Sequence, residues 1–210
     1  MKNIILLGVL LLLTRCSSTN FVDTWKNKEV TSFSPTNLLV VGMTDKLTAR
    51  KIFEEELTRA FMLRGINATE GETVFNKSFT DSKRSEAEID KMIKSVSDSG
   101  FDAILITVVK GVDEKQNYRG GYYDVGYSWR RFGRYYYRYQ NVYYNPAYYS
   151  TYKVYHVETS IYNINENEDR SLVWVGSLDI VDPQAITTTV RGHVASIIKQ
   201  LEREKLIKKL

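Results

Sequence analysis

The chain has 210 residues, of which 43% are hydrophobic and 26% are charged, and its formal net charge is +4. This balance excludes a wholly disordered chain and is typical of one folded domain with short appendages. The charge is too small to indicate a nucleic-acid partner by itself. The single cysteine, Cys16, excludes an intramolecular disulfide and a thiolate metal cluster, and the histidines at 156 and 193 are too far apart in sequence to predict a histidine-rich metal site.

The first residues have the pattern of an export signal. Lys2 gives a positive start, and an apolar run at residues 4–13 follows, interrupted only by Gly8. As a helix this run would be about 15 Å long, half of a bilayer core of about 30 Å. It is therefore too short to span a membrane but suits the apolar part of a signal peptide.

Residues 13–16, Leu-Thr-Arg-Cys, are followed by two serines and resemble the lipobox of bacterial lipoproteins. In that family the cysteine thiol receives a diacylglyceryl group, the peptide is cut before the cysteine, and the new amine is acylated. The resemblance implies a signal peptide at residues 1–15 and lipidation of Cys16. Arg15 departs from the small residue that is usual before the cysteine, and the alternatives are ordinary secretion with cleavage near Cys16 or an uncleaved anchor.

Acylation would attach the chain to a membrane, because each buried methylene contributes about 0.8 kcal/mol and stable anchoring needs more than one acyl chain. Loss of Lys2 and Arg15 with the signal would lower the net charge from +4 to +2. Ser17 stands where an aspartate in Gram-negative lipoproteins commonly signals inner-membrane retention. The resemblance thus implies a lipid-anchored protein of the bacterial cell envelope, sorted to the outer membrane.

Residues 16–37 are assigned as lipid anchor and tether: the resemblance implies the anchor at Cys16, and the polar residues after it predict a tether with one short extended segment near residues 22–25. The alternative is a disordered stalk. Apolar periodicity, the Ser85–Glu88 capping-box pattern and the glycines that follow each helix indicate the next elements. They are a strand at 38–43, a helix at 47–64, a strand at 66–69, a helix at 85–99 and a strand at 101–110. The strand at 101–110 is almost wholly apolar, which predicts burial on both faces at the sheet centre.

Two strands and a helix complete the predicted domain. Strands at 151–164 and 171–181, joined by a polar turn, predict an antiparallel hairpin. Asp182 and Pro183 predict the N-cap and first residue of the closing helix. The apolar face of this helix is formed by Ile186, Val190, Val194, Ile197, Ile198 and Leu201.

The element order β-α-β-α-β-insertion-β-β-α predicts an α/β (α+β) fold, a single domain at residues 38–207 in which helices pack on one mixed sheet. This order resembles the small α/β lipoprotein domains of bacterial envelopes, which include the curli-secretion lipoprotein and the amino-terminal domain of the Tol-system propeller protein. It is more similar to bacterial lipoproteins of unknown function with a tyrosine- and glycine-rich stretch before strands like residues 157–162 and 172–176. The resemblance implies no catalytic residues.

A Tyr-, Gly- and Arg-rich insertion at residues 111–150 is the unusual feature. All 15 tyrosines lie at or beyond Tyr118, and 14 of them lie in residues 118–155. The stretch has too few aliphatic residues to form a core, and loops of this length tend to be functional or disordered. Its candidate binding surface consists of Tyr122, Tyr123, Tyr127, Trp129, Arg130, Arg131, Tyr135, Tyr136, Tyr137 and Arg138.

Three interpretations of the insertion remain open. It is a flap whose rings pack on the sheet or on one another. Alternatively, it is an adhesive surface for an envelope protein or a cell-wall glycan, since tyrosine supplies contact area at low entropic cost. Stacking on nucleic acid is disfavoured for an exported protein of small charge.

The sequence contains no nucleophile elbow, HExxH motif or phosphate loop, so no catalytic residue, metal ligand or cofactor is predicted. We interpret residues 54–56 as a solvated acidic helix face, His193 as a boundary or core residue, Trp174 as a core residue, and His156 with Glu158 as a surface contact. We expect a binding or assembly module and not an enzyme. The alternatives are an envelope hydrolase with an unrecognised site and a structural, oligomer-forming component.

Overall fold

The structure, a computed structural model, describes residues 19–31, 33–75, 82–114, 132–133, 153–164, 171–181, 183 and 185–210. The predicted signal peptide, Cys16 and the ten residues of the candidate binding surface lie outside the described residues. The elements in chain order are β1 (Thr19–Lys26), β2 (Leu38–Met43), α1 (Leu47–Met62), β3 (Ala68–Glu70), α2 (Gly71–Val74), α3 (Glu86–Asp98), β4 (Ala103–Glu114), β5 (Lys153–Asn163), β6 (Leu172–Val181) and α4 (Ile186–Arg203).

The strands form one mixed sheet in the order β1-β6-β5-β4-β2-β3. β2 runs parallel to β3 and β4. The neighbours β4, β5, β6 and β1 pair antiparallel, so the predicted antiparallel pairing of β5 with β6 is confirmed. The mixed sheet with helices packed on it confirms the α/β (α+β) fold class.

β4 is buried on both faces, as its apolar sequence predicts. Residues 103–106 and Val108 are 0% exposed, and Thr107 is 9% exposed. Thr107 Oγ1 lies 2.7 Å from Thr159 Oγ1 on β5, so the one hydroxyl in this run is hydrogen-bonded within the sheet. The strand can therefore remain at the sheet centre without an unsatisfied polar side chain.

Helices cover the two faces of the sheet with separate cores. α1 and α4 pack on one face, where Leu57, Phe61 and Leu201 are fully buried. α3 packs on the other face through Ile89 and Val96. These contacts follow the apolar periodicity of each helix.

The helix ends agree with the local sequence signals. Ser85 and Glu88 form the predicted capping box: Glu88 N–H donates to Ser85 Oγ, and Ser85 N–H donates to Glu88 Oε2. Gly65 and Gly100 follow α1 and α3 with φ of 80° and 90°. A glycine takes this left-handed conformation without the steric cost that a side chain adds.

The sheet begins earlier than the predicted boundary at residue 38. Residues 19–26, assigned to the tether, form β1 at the sheet edge, antiparallel to β6. Phe33 is 5% exposed, and Asn27 Nδ2 donates to the Leu172 carbonyl at 3.1 Å. β4 also continues to Glu114, so residues 111–114, predicted as the start of the insertion, are strand.

The predicted start of the closing helix is wrong. The chain is still extended at Ala185 (φ −142°, ψ 125°), and α4 begins at Ile186 instead of at Pro183. Ile186 is 47% exposed and does not join the buried face, whereas Val194, Ile197, Ile198 and Leu201 do. The residue at the N-cap position is Ala185, and Asp182, the predicted N-cap, lies outside the described residues.

Candidate functional site

The carboxyl ends of β2, β3 and β4 lie at one edge of the sheet, because these three strands are parallel. After β2 the chain enters α1 on one face, and after β3 it continues through α2 to α3 on the opposite face. Adjacent strands whose connections leave to opposite faces open a crevice at their carboxyl ends, and this is where open α/β sheets bind ligands.

A cavity of about 640 Å³ occupies this position, and we call it the strand-end cavity. It is lined by the end of β2, the first turns of α1, and the segment from Gly71 to Phe75. Its volume falls within the range of small-molecule sites. No motif predicts it, because its lining comes from three separate elements.

Glu54 lines this cavity and is 1% exposed, which corrects its predicted place on a solvated helix face. Gly42 N–H donates to Glu54 Oε1 at 2.9 Å, and Glu72 N–H donates to Glu54 Oε2 at 2.8 Å. The carboxylate thus connects α1 to the end of β2 and the start of α2. Burial raises the pKa of Glu54 to about 7, although both amide donors favour the charged form.

The glycine at position 71 permits this close approach. A Cβ there would lie 3.0 Å from the Val40 carbonyl oxygen and 3.3 Å from Glu54 Oε1. Any larger residue would push against strand backbone or against the buried carboxylate. Because Gly71 has no side chain, the β3–α2 junction can lie close enough to Glu54 to contact its carboxylate.

A second group of polar residues lies on β4, β5 and β6, near the strand ends that flank the insertion. His156 Nδ1 lies 2.7 Å from Asp179 Oδ1, and His156 Nε2 lies 3.1 Å from Asp113 Oδ2. Partial burial lowers the pKa of His156, but the bonds to the two carboxylates outweigh burial and raise the pKa overall. The arrangement favours a protonated imidazole between two acids.

Lys110 and Glu158 form an ion pair next to this group. Lys110 Nζ lies 2.7 Å from Glu158 Oε2, and Glu158 is 4% exposed. The expected surface contact between His156 and Glu158 is corrected, because each has a different partner and Glu158 is buried. Among the described residues, no group of three or more His, Cys, Asp or Glu side chains is arranged to hold a metal ion.

Phe132 and Gly133 are the described residues within the insertion beyond β4. Phe132 is 3% exposed and packs edge-on against Tyr162, with ring centroids 5.8 Å apart. A Cβ at position 133 would lie 2.9 Å from Asp90 Oδ1, so this point of the insertion is in close contact with α3. The insertion is thus attached to the domain near its middle as well as at β4 and β5.

His193 and Trp174 are core residues, as predicted. Trp174 is 0% exposed, and its Nε1 donates to Glu204 Oε2 at 2.9 Å. His193 is 3% exposed, and neither ring nitrogen has a hydrogen-bond partner in the structure. Burial lowers the pKa of His193 to about 4. Within the described part of the chain, no helix has the length and apolarity needed to cross a membrane.

No protein-family model matches the chain, and no curated protein sequence matches it. Some solved structures align with most of the chain. The PelC dodecamer from Paraburkholderia phytofirmans is 9% identical with a TM-score of 0.45, and the match covers 91% of this chain and 99% of that one. Lipoprotein GNA1162 from Neisseria meningitidis is 12% identical with a TM-score of 0.41, and the match covers 80% of this chain and 99% of that one. At these identities function must be inferred from the residues of this chain, and the likeness to the curli-secretion and Tol group stays a prediction.

Proposed function

We propose that the protein is a lipoprotein of the bacterial cell envelope, anchored in the outer membrane through acylated Cys16, and that its domain is a binding or assembly module without catalytic activity. The observation that carries this proposal is the position of the single cysteine, directly after an export-type apolar segment. Acyl chains on this residue would supply the membrane affinity.

Cys16→Ser is expected to abolish lipidation. Cells grown with radioactive palmitate should label the wild-type protein and not the variant, because the thiol is the acceptor of the lipid. Ser18→Ala is the matched control, since it changes a neighbouring side chain and leaves the thiol intact. A wild-type protein that carries no label and keeps Met1 would rule out the anchor.

The insertion is the proposed contact surface for an envelope protein or a cell-wall glycan. Its supporting features are tyrosine and arginine content, which is enriched in binding sites, and the attachment through Phe132. An ordered contact at Phe132 lowers the conformational entropy that the insertion would lose when a partner binds.

The triple substitution of Tyr135, Tyr136 and Tyr137 by serine is expected to weaken partner binding at least about tenfold, because hot-spot aromatic residues each contribute about 1–2 kcal/mol or more. Substitution of the same three by phenylalanine keeps the rings and should retain most of the affinity. Cosedimentation with purified cell walls and photocrosslinking from position 136 in intact cells measure the effect. Equal binding by the serine and phenylalanine variants would contradict this role.

A further inference from the structure

None of the described residues that line the strand-end cavity belongs to the insertion or to the predicted lipid anchor. Much of its wall is apolar and comes from Val41, Met43, Ile52 and Phe75. Leu47 also lines it and is 61% exposed, so a large apolar side chain stands uncovered where it borders the cavity. An apolar molecule in the cavity would remove this surface from water.

Arg50 supplies a positive charge to the same cavity. Its Nε is buried, and the structure gives this atom no hydrogen-bond partner. A buried donor without a partner costs free energy, and this cost would be recovered if the Arg50 side chain turned toward an acceptor on a ligand in the cavity. The N-terminus of α1 adds positive partial charge from the helix dipole. This charge is not offset locally, because the first turn has no acidic residue and Lys46 at the N-cap makes no side-chain cap.

None of the described acidic residues of the cavity forms an ion pair or a hydrogen bond with Arg50, although the positive charge of Arg50 lowers the pKa of Glu54 against the effect of burial. Both oxygens of Glu54 accept backbone N–H groups. Glu55 Oε1 lies 3.2 Å from Arg59 Nη2. Glu72 and Lys51, which also line the cavity, are exposed and opposite in charge. A guanidinium that forms no ion pair can bind one carboxylate through charge-assisted N–H···O hydrogen bonds.

We propose that the strand-end cavity binds a small organic acid with an apolar body and one carboxylate. Arg50 holds the carboxylate, and Leu47, Met43 and Phe75 pack against the apolar body. The position at the carboxyl ends of β2 and β3 is the one where α/β sheets place ligands, and the positive charge of Arg50 in the cavity wall favours an acidic ligand.

Titration of the full chain in lipid nanodiscs with 4-fluorobenzoate, followed by fluorine NMR, tests the proposal. Empty nanodiscs supply the background. For a ligand of this size the expected Kd is about 1 mM. The neutral 4-fluorobenzyl alcohol and the cationic 4-fluorobenzylamine are matched probes, and both should bind at least about tenfold more weakly than the acid.

Two cavity variants locate the binding. Arg50→Met keeps an apolar stem and should weaken the acid about tenfold while leaving the alcohol unchanged. Leu47→Ala changes an exposed side chain, so the fold is retained, and it should weaken both probes several-fold. Arg203→Met, on the exposed surface of α4, is the control and should have no effect. Equal affinity for acid and alcohol, or an acid affinity that neither cavity variant reduces, would overturn the proposal.

Discussion

Gly176→Ala is expected to lower the free energy of unfolding by about 3 kcal/mol, the upper part of the range for overpacked cores. A Cβ at position 176 would lie 2.3 Å from Trp174 Cη2, 2.7 Å from Trp174 Cζ2 and 3.0 Å from Phe21 Cε1. The indole is fully buried and hydrogen-bonded to Glu204, so the ring cannot move aside without losing packing and this bond. β6 therefore needs a glycine beneath the tryptophan.

Gly111→Ala is the matched control for this substitution. It adds the same methyl group to the neighbouring region of the sheet, but the nearest atom to its Cβ would be His156 Cδ2 at 3.9 Å. We expect a change within about 0.5 kcal/mol. Urea denaturation followed by circular dichroism measures both variants, and equal destabilisation by the two would show that the Trp174 contact is not the cause.

Glu54→Gln is expected to make the free energy of unfolding rise by about 2 kcal/mol between pH 4.5 and 6.5, whereas in the wild type two opposing contributions cancel over this range. The pKa of Glu54 is raised from 4.5 to about 7, so the folded state binds a proton that the unfolded state has released, and stability falls as pH rises. The pKa of His193 is lowered from 6.5 to about 4, so the unfolded state binds the extra proton and stability rises with pH. Removal of the carboxyl leaves the His193 contribution alone.

His193→Leu is the reciprocal variant and should show the opposite slope, because only the Glu54 contribution remains. Arg50 and Glu72 face Glu54, and both are unchanged in each variant. Glu55→Gln is the control, since this exposed carboxyl lies next in sequence and should leave the wild-type profile unaltered. Urea midpoints from pH 4.5 to 6.5 provide the measurement; parallel profiles for all four proteins would show that neither group is perturbed by burial.

The local parts of the fold follow from sequence because their determinants are close in the chain. The capping box at Ser85 and Glu88 needs four consecutive residues, and the burial of β4 follows from one apolar run. The sequence does not predict the full length of β1, because a bulge between Phe21 and Asp23 shifts the register of this strand. One extra residue reverses the faces and removes the simple alternation of a strand.

The candidate sites depend on contacts between distant elements. Glu54 had one sequence signal, since it lies three residues before Leu57 and seven before Phe61 and thus shares their helix face. Its burial is tolerated only because amides at positions 42 and 72 reach it. The contacts of His156 with Asp113 and Asp179 require the register of three strands, whereas the period of two in β5 specifies only which face His156 occupies.

The early start of β1 has a consequence for where the domain would stand in the cell. Thr19 is already paired with Ile180, and Cys16 precedes it by only three residues. Three extended residues reach about 10 Å, whereas a tether of about 20 residues would reach about 65 Å. An acylated Cys16 would hold the β1 edge of the sheet close to the lipid headgroups. Any ligand or partner would then bind the domain near the membrane surface.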